Sequence, residues 1–480
     1  MPPKQIHLEI ASRELIRASR PPPGFPAILA VSNLDLILGP FPIYLVCVYA
    51  PPPPGSGGLA AVESAVRAAL PSYLSSFFPF AGRIVRHPVT NIPEVACNNA
   101  GAELVVADAT GVPLSAVDFH RIDQSIGRMR VPFDDGIPLS LQLVRFACGG
   151  FSLTVATNHL LADGRAFIVL LNSLGEMIRS GSLTREPLLD RSSLLNPRSP
   201  PRFSPSLESE FARFTPATMI NPLMAAAIQR RLYRIDAADL ELLRNEASAA
   251  GGGGAGRRAT RFVALCAHLW KLLAVAVGES DPNCRMAWII DGRKLLEPLI
   301  AGGAALDRYM GNVVTYTSRE ANVSELLRAP LHGVAAMARE AIVSAMKRER
   351  FQQLVDWMET KKAAAFNDGE KWTEAVNLGL GSPALVISGL LPFPIDGDLG
   401  FGKPKLVMPW LRHGRLGSAS VTAVPSPAGD GSWFVAGTRL WPRLLEVMET
   451  SPDCLLKPAT AASLGLAFAG GGGGGHGSRL

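Results

Sequence analysis

A long segment at residues 181–222 divides the chain, because it lacks hydrophobic periodicity and is rich in proline and arginine. A loop of this length without structure of its own is uncommon inside one compact domain. We therefore predict a crossover loop at 185–225, between an N-terminal domain at 1–184 and a C-terminal domain at 226–469. A chain of 480 residues, of which 48% are hydrophobic, is long and apolar enough for two domains with full cores. The glycine-rich end at 470–480 is predicted to be disordered.

Sequence patterns in the first half predict both helices and strands. Apolar residues recur every three or four positions over 59–78, which indicates a helix that Pro71 would kink or split. Residues 151–157 alternate apolar and small polar side chains and predict a strand. The apolar face of 165–180 predicts the helix that follows. A buried strand therefore gives way to a helix near residue 160.

The stretch at 28–50 is almost wholly apolar, with Asp35 as its only charge. Its length would allow a membrane span. Gly39, Pro40 and Pro42 interrupt it, so two buried strands around a turn at Gly39 and Pro40 are the favoured interpretation. The N-terminus also lacks the apolar core of a signal peptide. We therefore expect a soluble protein without a membrane span.

The second half is expected to begin with a short strand at 233–235 and a helix at 237–247. Four glycines at 251–254 predict a flexible loop. Residues 260–277 carry the apolar spacing of a helix, and Thr260 at its start is a preferred capping residue. Both halves are thus expected to mix helices with strands.

The charge and the cysteines argue against two kinds of partner. The net charge of +6 is modest for this length and no run of Lys and Arg exceeds a few residues, so no nucleic-acid partner is expected. A mild positive excess is compatible with a phosphate-bearing ligand. The six cysteines contain no Cys-x-x-Cys pair, which leaves a zinc site without support and is typical of a reduced, cytosolic chain.

His159 stands four residues before Asp163, which Gly164 follows, and no other histidine of the chain has an aspartate at this spacing. The motif falls where the predicted strand gives way to a helix, a rigid position with an open turn. An imidazole with a pKa near neutral can take a proton from a hydroxyl or an amine. Asp163 would either orient this imidazole or build the turn that holds it. A metal site would need further ligands, which no second cluster offers. A histidine whose hydrogen bonds are satisfied in the core is the other alternative.

A second group of charges lies at 291–293 (Asp-Gly-Arg), directly after a strand predicted at 286–290. The segment Tyr-Met-Gly-Asn-Val follows at 309–313. Because buried charges need partners, Arg293 is predicted to pair with Asp163. The alternative is that Arg293 is a surface residue at the end of a strand.

Near the end of the chain, the sequence Asp-Leu-Gly-Phe-Gly supplies four candidate site residues, which are Asp398, Gly400, Phe401 and Gly402. Glycines that alternate with large apolar residues predict a tight, shaped loop, for which a structural role is favoured over direct catalysis. The segment lacks the spacing and the strand–helix setting of a dinucleotide fingerprint. The serines at 418–420 form no Gly-x-Ser-x-Gly motif, so a serine hydrolase is unsupported.

Taken in order, these motifs resemble those of the BAHD acyltransferases, whose two signatures are His-x-x-x-Asp-Gly and Asp-Phe-Gly-Trp-Gly. In the second motif of this chain, Leu399 and Phe401 replace the usual Phe and Trp. Further segments in the style of the family are found at 76–83, 262–271, 291–293 and 309–313. The resemblance extends over almost the whole chain.

The resemblance implies an α/β (α+β) fold of two chloramphenicol-acetyltransferase-like domains, each a mixed β-sheet flanked by helices, with a channel between them. His159 would lie in the middle of that channel as the general base. Carried over to this chain, the supporting roles of the family fall on Asp163, Gly164 and Arg293 for the structure of the site, and on the loop at 398–402 for the coenzyme A side.

The implied activity moves an acyl group, of acetyl, malonyl or hydroxycinnamoyl type, from coenzyme A to a hydroxyl or amine of a plant secondary metabolite. Acyl-CoA is then a co-substrate, no cofactor or metal is bound permanently, no acyl-enzyme forms, and a monomer is expected. The alternative is a non-catalytic relative that binds acyl-CoA or a protein partner, which the altered loop motivates. A tryptophan that many members carry near the acyl group is missing at 386–390, so a roomier or differently shaped pocket is expected.

The chain ends in Ser478, Arg479 and Leu480, which resembles the Ser-Lys-Leu peroxisomal address. Most members of the family are cytosolic. We therefore expect a cytoplasmic protein, with the peroxisome as the alternative.

Overall fold

The structure is a computed structural model, which describes residues 4–134, 136–192, 194–213, 228–248, 258–299, 305–411, 417–453 and 455–467. The predicted loop at 251–254 and the predicted tail at 470–480, with its C-terminal tripeptide, lie outside the described residues. Residues 214–227 of the crossover lie outside them as well.

In the described part of the chain, the strands are β1 (Glu9–Ile16), β2 (Ile28–Ala30), β3 (Pro42–Tyr49), β4 (Arg83–Arg86), β5 (Pro93–Ala96), β6 (Ala102–Ala109), β7 (Leu139–Phe146), β8 (Phe151–Asn158), β9 (Phe211–Arg213), β10 (Gln229–Ile235), β11 (Asn283–Asp291), β12 (Val314–Asn322), β13 (Trp372–Glu374), β14 (Ala384–Gly389), β15 (Leu406–Leu411), β16 (Ala419–Pro425), β17 (Trp433–Leu440) and β18 (Lys457–Pro458). The α-helices described there are α1 (Asn33–Leu38), α2 (Gly58–Ser76), α3 (Gly164–Ser180), α4 (Pro205–Glu208), α5 (Ala237–Ser248), α6 (Arg261–Val277), α7 (Arg293–Leu296), α8 (Val323–Arg328), α9 (Leu331–Ala345), α10 (Arg348–Phe366) and α11 (Pro442–Thr450).

The strands form two large mixed sheets. The first has the order β1-β6-β7-β8-β3-β15, in which β6 and β7 are parallel and the other neighbours are antiparallel. The second has the order β12-β11-β14-β16-β17-β10-β18, in which β14 is parallel to both of its neighbours. Helices α2 and α3 pack beside the first sheet, α6 and α9 pack against the second, and α5 and α11 pack on α6. The predicted α/β fold, with mixed sheets flanked by helices, is confirmed.

One strand crosses from the later part of the chain into the first sheet. Although β15 falls in the range predicted for the C-terminal domain, it pairs with β3, with Leu406 opposite Val48 and Leu411 opposite Ile43. The apolar core around the first sheet also contains side chains from the later part, Phe351 among them. The domain limits stay a prediction. At β15 the two sheets do not follow these limits, because this strand of the later range belongs to the first sheet.

Of the two strands predicted around the turn in the apolar stretch at 28–50, the second is confirmed as β3, but α1 replaces most of the first, of which only the three-residue β2 is a strand. Ser32 caps this helix: its Oγ accepts a hydrogen bond from the Asp35 backbone N–H at 3.2 Å, and Asp35 Oδ2 accepts one from the Ser32 N–H at 2.8 Å. This reciprocal capping box makes a helix start out of the few polar residues in an apolar run. The predicted turn follows the helix at Gly39, whose φ is 78°.

The crossover is not without structure, since α4 and β9 lie within the range predicted for it. Pro205 occupies the first turn of α4, where its missing N–H has no helical partner to lose, and Ser204 Oγ caps the helix by accepting from the Leu207 N–H at 3.2 Å. β9 pairs with β13. Short elements of this kind have too few residues for a periodic pattern, which is why the sequence reads as a loop.

The longer helices agree closely with their predictions. α3, α5 and α6 confirm the helices predicted at 165–180, 237–247 and 260–277, and Thr260 Oγ1 accepts from the Val263 N–H at 3.1 Å. Of the two effects predicted for Pro71, a kink or a split, the split is wrong, because α2 continues through this residue. α6 and the turn after it are long and apolar enough to cross a membrane by length and composition, but most of this segment is buried inside the fold, as in the core helix of a soluble protein.

Candidate active site

The histidine motif lies at the turn between β8 and α3. The His159 backbone N–H donates to the Phe41 carbonyl at 2.8 Å, and the Phe41 ring packs against the imidazole with 4.9 Å between the ring centroids. Asp163 is the N-cap of α3, where its Oδ1 accepts from the Ala166 N–H at 3.1 Å. The backbone around His159 is thus fixed on both sides by buried structure.

Two cavities meet at His159. The first holds about 850 Å³ of empty space, part of it open to solvent, and its walls include Ile43, Leu390 and Phe393 besides the histidine. The second holds about 640 Å³ of empty space, also partly open to solvent, and its lining mixes polar side chains such as Thr373 with apolar ones such as Phe41. Strands of both sheets, β3 and β15 of the first and β11 and β14 of the second, contribute to the walls of the first cavity. The histidine therefore borders a cavity between the sheets, where the family resemblance implies a channel.

The orientation of the Asn312 amide decides which nitrogen of His159 is basic. Asn312 Nδ2 donates to Asp35 Oδ1 and to the His159 carbonyl, both at 2.8 Å. Its Oδ1, which can only accept, lies 3.1 Å from His159 Nδ1. We therefore assign the proton of the neutral imidazole to Nδ1 and its lone pair to Nε2.

Asp163 and Arg293 form a buried ion pair with two parallel hydrogen bonds. Arg293 Nη1 lies 2.8 Å from Asp163 Oδ2, and Nη2 lies 2.9 Å from Oδ1. Both residues are at most 3% exposed. Asp163 Oδ2 also accepts from the Val313 N–H at 2.9 Å. The predicted pairing is confirmed, and the carboxylate is engaged in building the turn with Arg293, Val313 and Ala166.

The electrostatics of this pair follow from burial and charge. Burial raises the pKa of Asp163, but the charge and hydrogen bonds of Arg293 outweigh it and hold that pKa below its ordinary value. Asp291 also accepts from Arg293 Nη1, at 3.1 Å, and burial raises the pKa of this second carboxyl. One guanidinium thus compensates two carboxylates at the wall of the first cavity.

Two glycines of the motifs allow close packing at this point. A Cβ on Gly292 would lie 2.2 Å from the Phe351 ring, and a Cβ on Gly164 would lie 2.5 Å from Leu390. Gly164, like His159, Asp163 and Arg293, lines the first cavity. The structure therefore brings together the predicted base and its three predicted supporting residues.

The loop at 398–402 packs on α3 from another side. Asp398 Oδ1 accepts from the Gly400 N–H at 2.8 Å, the Asp398 carbonyl accepts from Arg179, and a Cβ on Gly175 would lie 2.4 Å from that carbonyl. Phe401 and Gly402 border a separate surface cavity. Among the described residues that line the two cavities at His159, none comes from this loop.

The sequence did not identify Asn312 and Asp35 as site residues. Asn312 lies in the segment at 309–313, and Asp35 is the lone charge of the apolar run at 28–50; a lone charge in such a run is a signal from which a buried partner could have been predicted. No group of three or more His, Cys, Asp or Glu side chains is placed to hold a metal ion within the described ranges.

Known proteins are similar to this chain over most of its length. A family model described as the Transferase family matches residues 6–452. Hydroxycinnamoyltransferase 1 of Oryza sativa subsp. japonica is 28% identical over 425 residues, which cover 84% of this chain and 90% of that protein. Rosmarinate synthase of Plectranthus scutellarioides is also 28% identical, with 90% and 96% covered.

Solved structures share the fold at lower identity. The crystal structure of vinorine synthase superposes with a TM-score of 0.67 at 16% identity, and covers 95% of this chain and 100% of that chain. F. graminearum TRI101, complexed with coenzyme A and T-2 mycotoxin, superposes with a TM-score of 0.70 at 15% identity, and covers 89% and 98%.

Proposed function

The chain belongs to the Transferase family, the BAHD acyltransferases, and on that premise we propose that it transfers an acyl group from a coenzyme A thioester to a hydroxyl or amine, with His159 as general base. The observation that carries the proposal is the position of His159 on the wall shared by two cavities, with its Nδ1 bonded to Asn312. A base in this position has room for a donor on one side and an acceptor on the other.

The chemistry follows from the tautomer. Nε2 takes the proton of the acceptor hydroxyl or amine while the acceptor atom attacks the thioester carbonyl carbon. A new C–O or C–N bond forms, and the carbonyl becomes a tetrahedral oxyanion. When this intermediate collapses, the C–S bond breaks and the thiolate takes the proton from Nε2, so coenzyme A leaves as the thiol. General-base catalysis of this kind contributes about 10²- to 10⁴-fold. The thioester is already activated, so no acyl-enzyme is required.

The linings of the two cavities favour different occupants. The apolar wall of the first cavity, with Ile43, Leu390 and Phe393, suits the aromatic ring of an acyl group. The second cavity presents Thr373 and Asn377, which suit the hydroxyl or amine of an acceptor. Relatives named for hydroxycinnamoyl transfer favour a hydroxycinnamoyl donor, with acetyl and malonyl groups as the alternatives. We place the coenzyme A moiety on the side of the loop at 398–402.

The decisive test is acceptor-dependent release of coenzyme A by the purified protein. A panel of hydroxycinnamoyl-, acetyl- and malonyl-CoA is combined with phenol, alcohol and amine acceptors. His159→Ala is expected to lower the rate about 10²- to 10⁴-fold. His332→Ala is the control, since His332 lies on α9 and lines neither cavity, and it should keep full activity.

Two results would contradict the proposal. If His159→Ala retains the rate of the wild type, His159 is not the base. If none of the donor and acceptor pairs leads the folded wild type to release coenzyme A, although the protein still binds acyl-CoA, the non-catalytic alternative is correct.

Two further expectations have tests of their own. Gel filtration tests the expected monomer. A fluorescent reporter carrying the last twelve residues tests the cytoplasm against the peroxisome.

A further inference from the structure

A buried carboxylate lies behind the amide that contacts His159. Asp35 on α1 is completely buried, and its Oδ1 accepts from both the backbone N–H and the side-chain Nδ2 of Asn312, each at 2.8 Å. Its Oδ2 accepts from the Ser32 N–H and Oγ at 2.8 Å, and from Arg191 Nη1 at 2.5 Å. Both oxygens of the Asp35 carboxylate therefore accept hydrogen bonds from neighbouring donors, which fix its position and orientation.

Arg191 connects the same carboxylate to the backbone that follows the histidine. Its guanidinium is also buried, and it donates to the Leu160 carbonyl at 3.2 Å and to the Leu161 carbonyl at 3.1 Å. A buried charge is tolerated when it is paired and hydrogen-bonded, as this guanidinium is through Nη1 and Nη2. The Asp35–Arg191 pair thus joins α1, the crossover and the turn after β8 into one fixed unit.

An amide side chain has two orientations of nearly equal shape, and Asp35 distinguishes between them. A carboxylate only accepts hydrogen bonds, so Nδ2 of Asn312 must face it and Oδ1 must face His159. In the flipped orientation, Oδ1 would meet the carboxylate oxygen and Nδ2 would donate to His159 Nδ1. The neutral imidazole would then carry its proton on Nε2, which could no longer accept one from a substrate.

We infer that Asp35 is a positioning residue that acts through Asn312 to keep the lone pair of His159 on Nε2, and that Arg191 holds Asp35 for this task. The inference rests on the proposed function, because it concerns the same base. It extends that function to the ion pair of Asp35 and Arg191. Neither residue is among the described residues that line the two cavities at His159.

Asp35→Asn tests the inference, because an amide at position 35 has the same shape but can donate to Asn312 Oδ1 and stabilise the flipped orientation. We expect kcat to fall on the order of 10²- to 10⁴-fold, with the KM values of donor and acceptor little changed. The matched control is Asp356→Asn. Asp356 is likewise completely buried on a helix and paired with an arginine of the crossover, Arg198, at 2.5 Å.

A second variant exchanges the two groups and should restore the tautomer. In the double variant Asp35→Asn with Asn312→Asp, the amide at 35 donates to a carboxylate at 312, which accepts from His159 Nδ1–H. The carboxylate cannot replace the hydrogen bond from Asn312 Nδ2 to the His159 carbonyl, so the expected recovery is partial. We expect kcat of the double variant to recover at least tenfold over Asp35→Asn. A double variant no faster than the single one would overturn the inference.

The tautomer itself is measured by ¹⁵N NMR of histidine-labelled protein, with His159 assigned by the signal missing in His159→Ala. The wild type should show the Nδ1–H form and Asp35→Asn the Nε2–H form, whether or not a substrate is known. An Nε2–H wild type, an unchanged tautomer in Asp35→Asn, or a loss of kcat equal to that of Asp356→Asn would overturn the inference. The wild-type spectrum decides even if Asp35→Asn does not fold, and the proposed function is judged separately by the activity of His159→Ala.

Discussion

At the scale of single residues, Arg293 has the most demanding environment near the site. Its guanidinium is 3% exposed and contacts Asp163, Asp291 and the carbonyls of Tyr309 and Gly311. Removal of one partner from a buried pair leaves an uncompensated charge in a medium that solvates it poorly. The contribution of Arg293 to the free energy of unfolding should therefore far exceed that of a surface ion pair.

Arg293→Met is expected to lower the free energy of unfolding by about 3–5 kcal/mol, because Asp163 then stays buried without its cation. Arg185→Met is the control. Arg185 also makes two hydrogen bonds with one aspartate, Asp307, but its side chain is 55% exposed, and exposed pairs contribute less than about 1 kcal/mol. Urea denaturation followed by tryptophan fluorescence measures both. Equal losses in the two variants would contradict the argument.

The effect of Arg293→Met should also depend on pH, with a sign that the pKa of Asp163 fixes. In the wild type this pKa is depressed, so its contribution to stability is present above the unfolded value, about 4, and is lost as pH falls through the folded value. In Arg293→Met, the cation is gone and burial raises the pKa of Asp163. Protonation of the Asp163 carboxyl then removes the uncompensated buried charge and stabilises the folded variant. The difference in unfolding free energy between the two proteins should shrink from pH 7 to pH 4; a constant or growing difference would refute this.

At the scale of elements, α3 connects the histidine turn to the loop at 398–402. The helix is capped by Asp163, and Gly175 in its fourth turn lies against the Asp398 carbonyl. Arg179 of the same helix donates to that carbonyl, and Tyr49 Oη donates to the Gly397 carbonyl at 2.7 Å. The loop is therefore held through its backbone at Gly397 and Asp398, and also by the side chain of Leu399, which is completely buried in the apolar core.

Gly175→Ala is expected to destabilise the protein by about 1–3 kcal/mol, since the new Cβ would meet backbone that cannot rotate away. It should also raise the KM for acyl-CoA more than it lowers kcat, if the loop shapes the coenzyme A side. Gly333→Ala on α9 is the control. Its nearest atoms would lie 3.9 Å away, so alanine should stabilise that helix by up to about 1 kcal/mol. Thermal unfolding and steady-state kinetics of both variants check this, and a stabilised Gly175→Ala would contradict it.

The elements that could be predicted from the sequence are those whose own residues carry the signal. α6 has a cap at Thr260 and an uninterrupted apolar face, and the pattern found it within a residue. The stretch at 28–50 was misjudged because apolarity outweighed one short capping box around Ser32. For the site, the motifs gave His159, Asp163 and Arg293, but the contact of Asp35 with Asn312 spans 277 positions and no local pattern reports it.

At the scale of the whole molecule, the site depends on strands contributed by both halves of the chain. The first cavity is enclosed by β3 and β15 on one side and by β11 and β14 on the other. β15 comes from the later half and closes the edge of the earlier sheet, so each half supplies structure that the other needs. Folding of the first sheet is therefore expected to require the second half.

A chain cut after residue 213 tests this dependence. The fragment 1–213 alone would leave β3 as an unpaired edge and expose the apolar surface that Phe351 and β15 cover in the full chain. Exposed edges and large apolar patches lead to association. We expect this fragment to aggregate or to bind an apolar dye, and to become soluble when residues 214–480 are co-expressed with it. The co-expressed pair controls for the cut itself. If fragment 1–213 alone is a soluble monomer that unfolds cooperatively, the first sheet is an independent domain and the strand from the later half is dispensable for its folding.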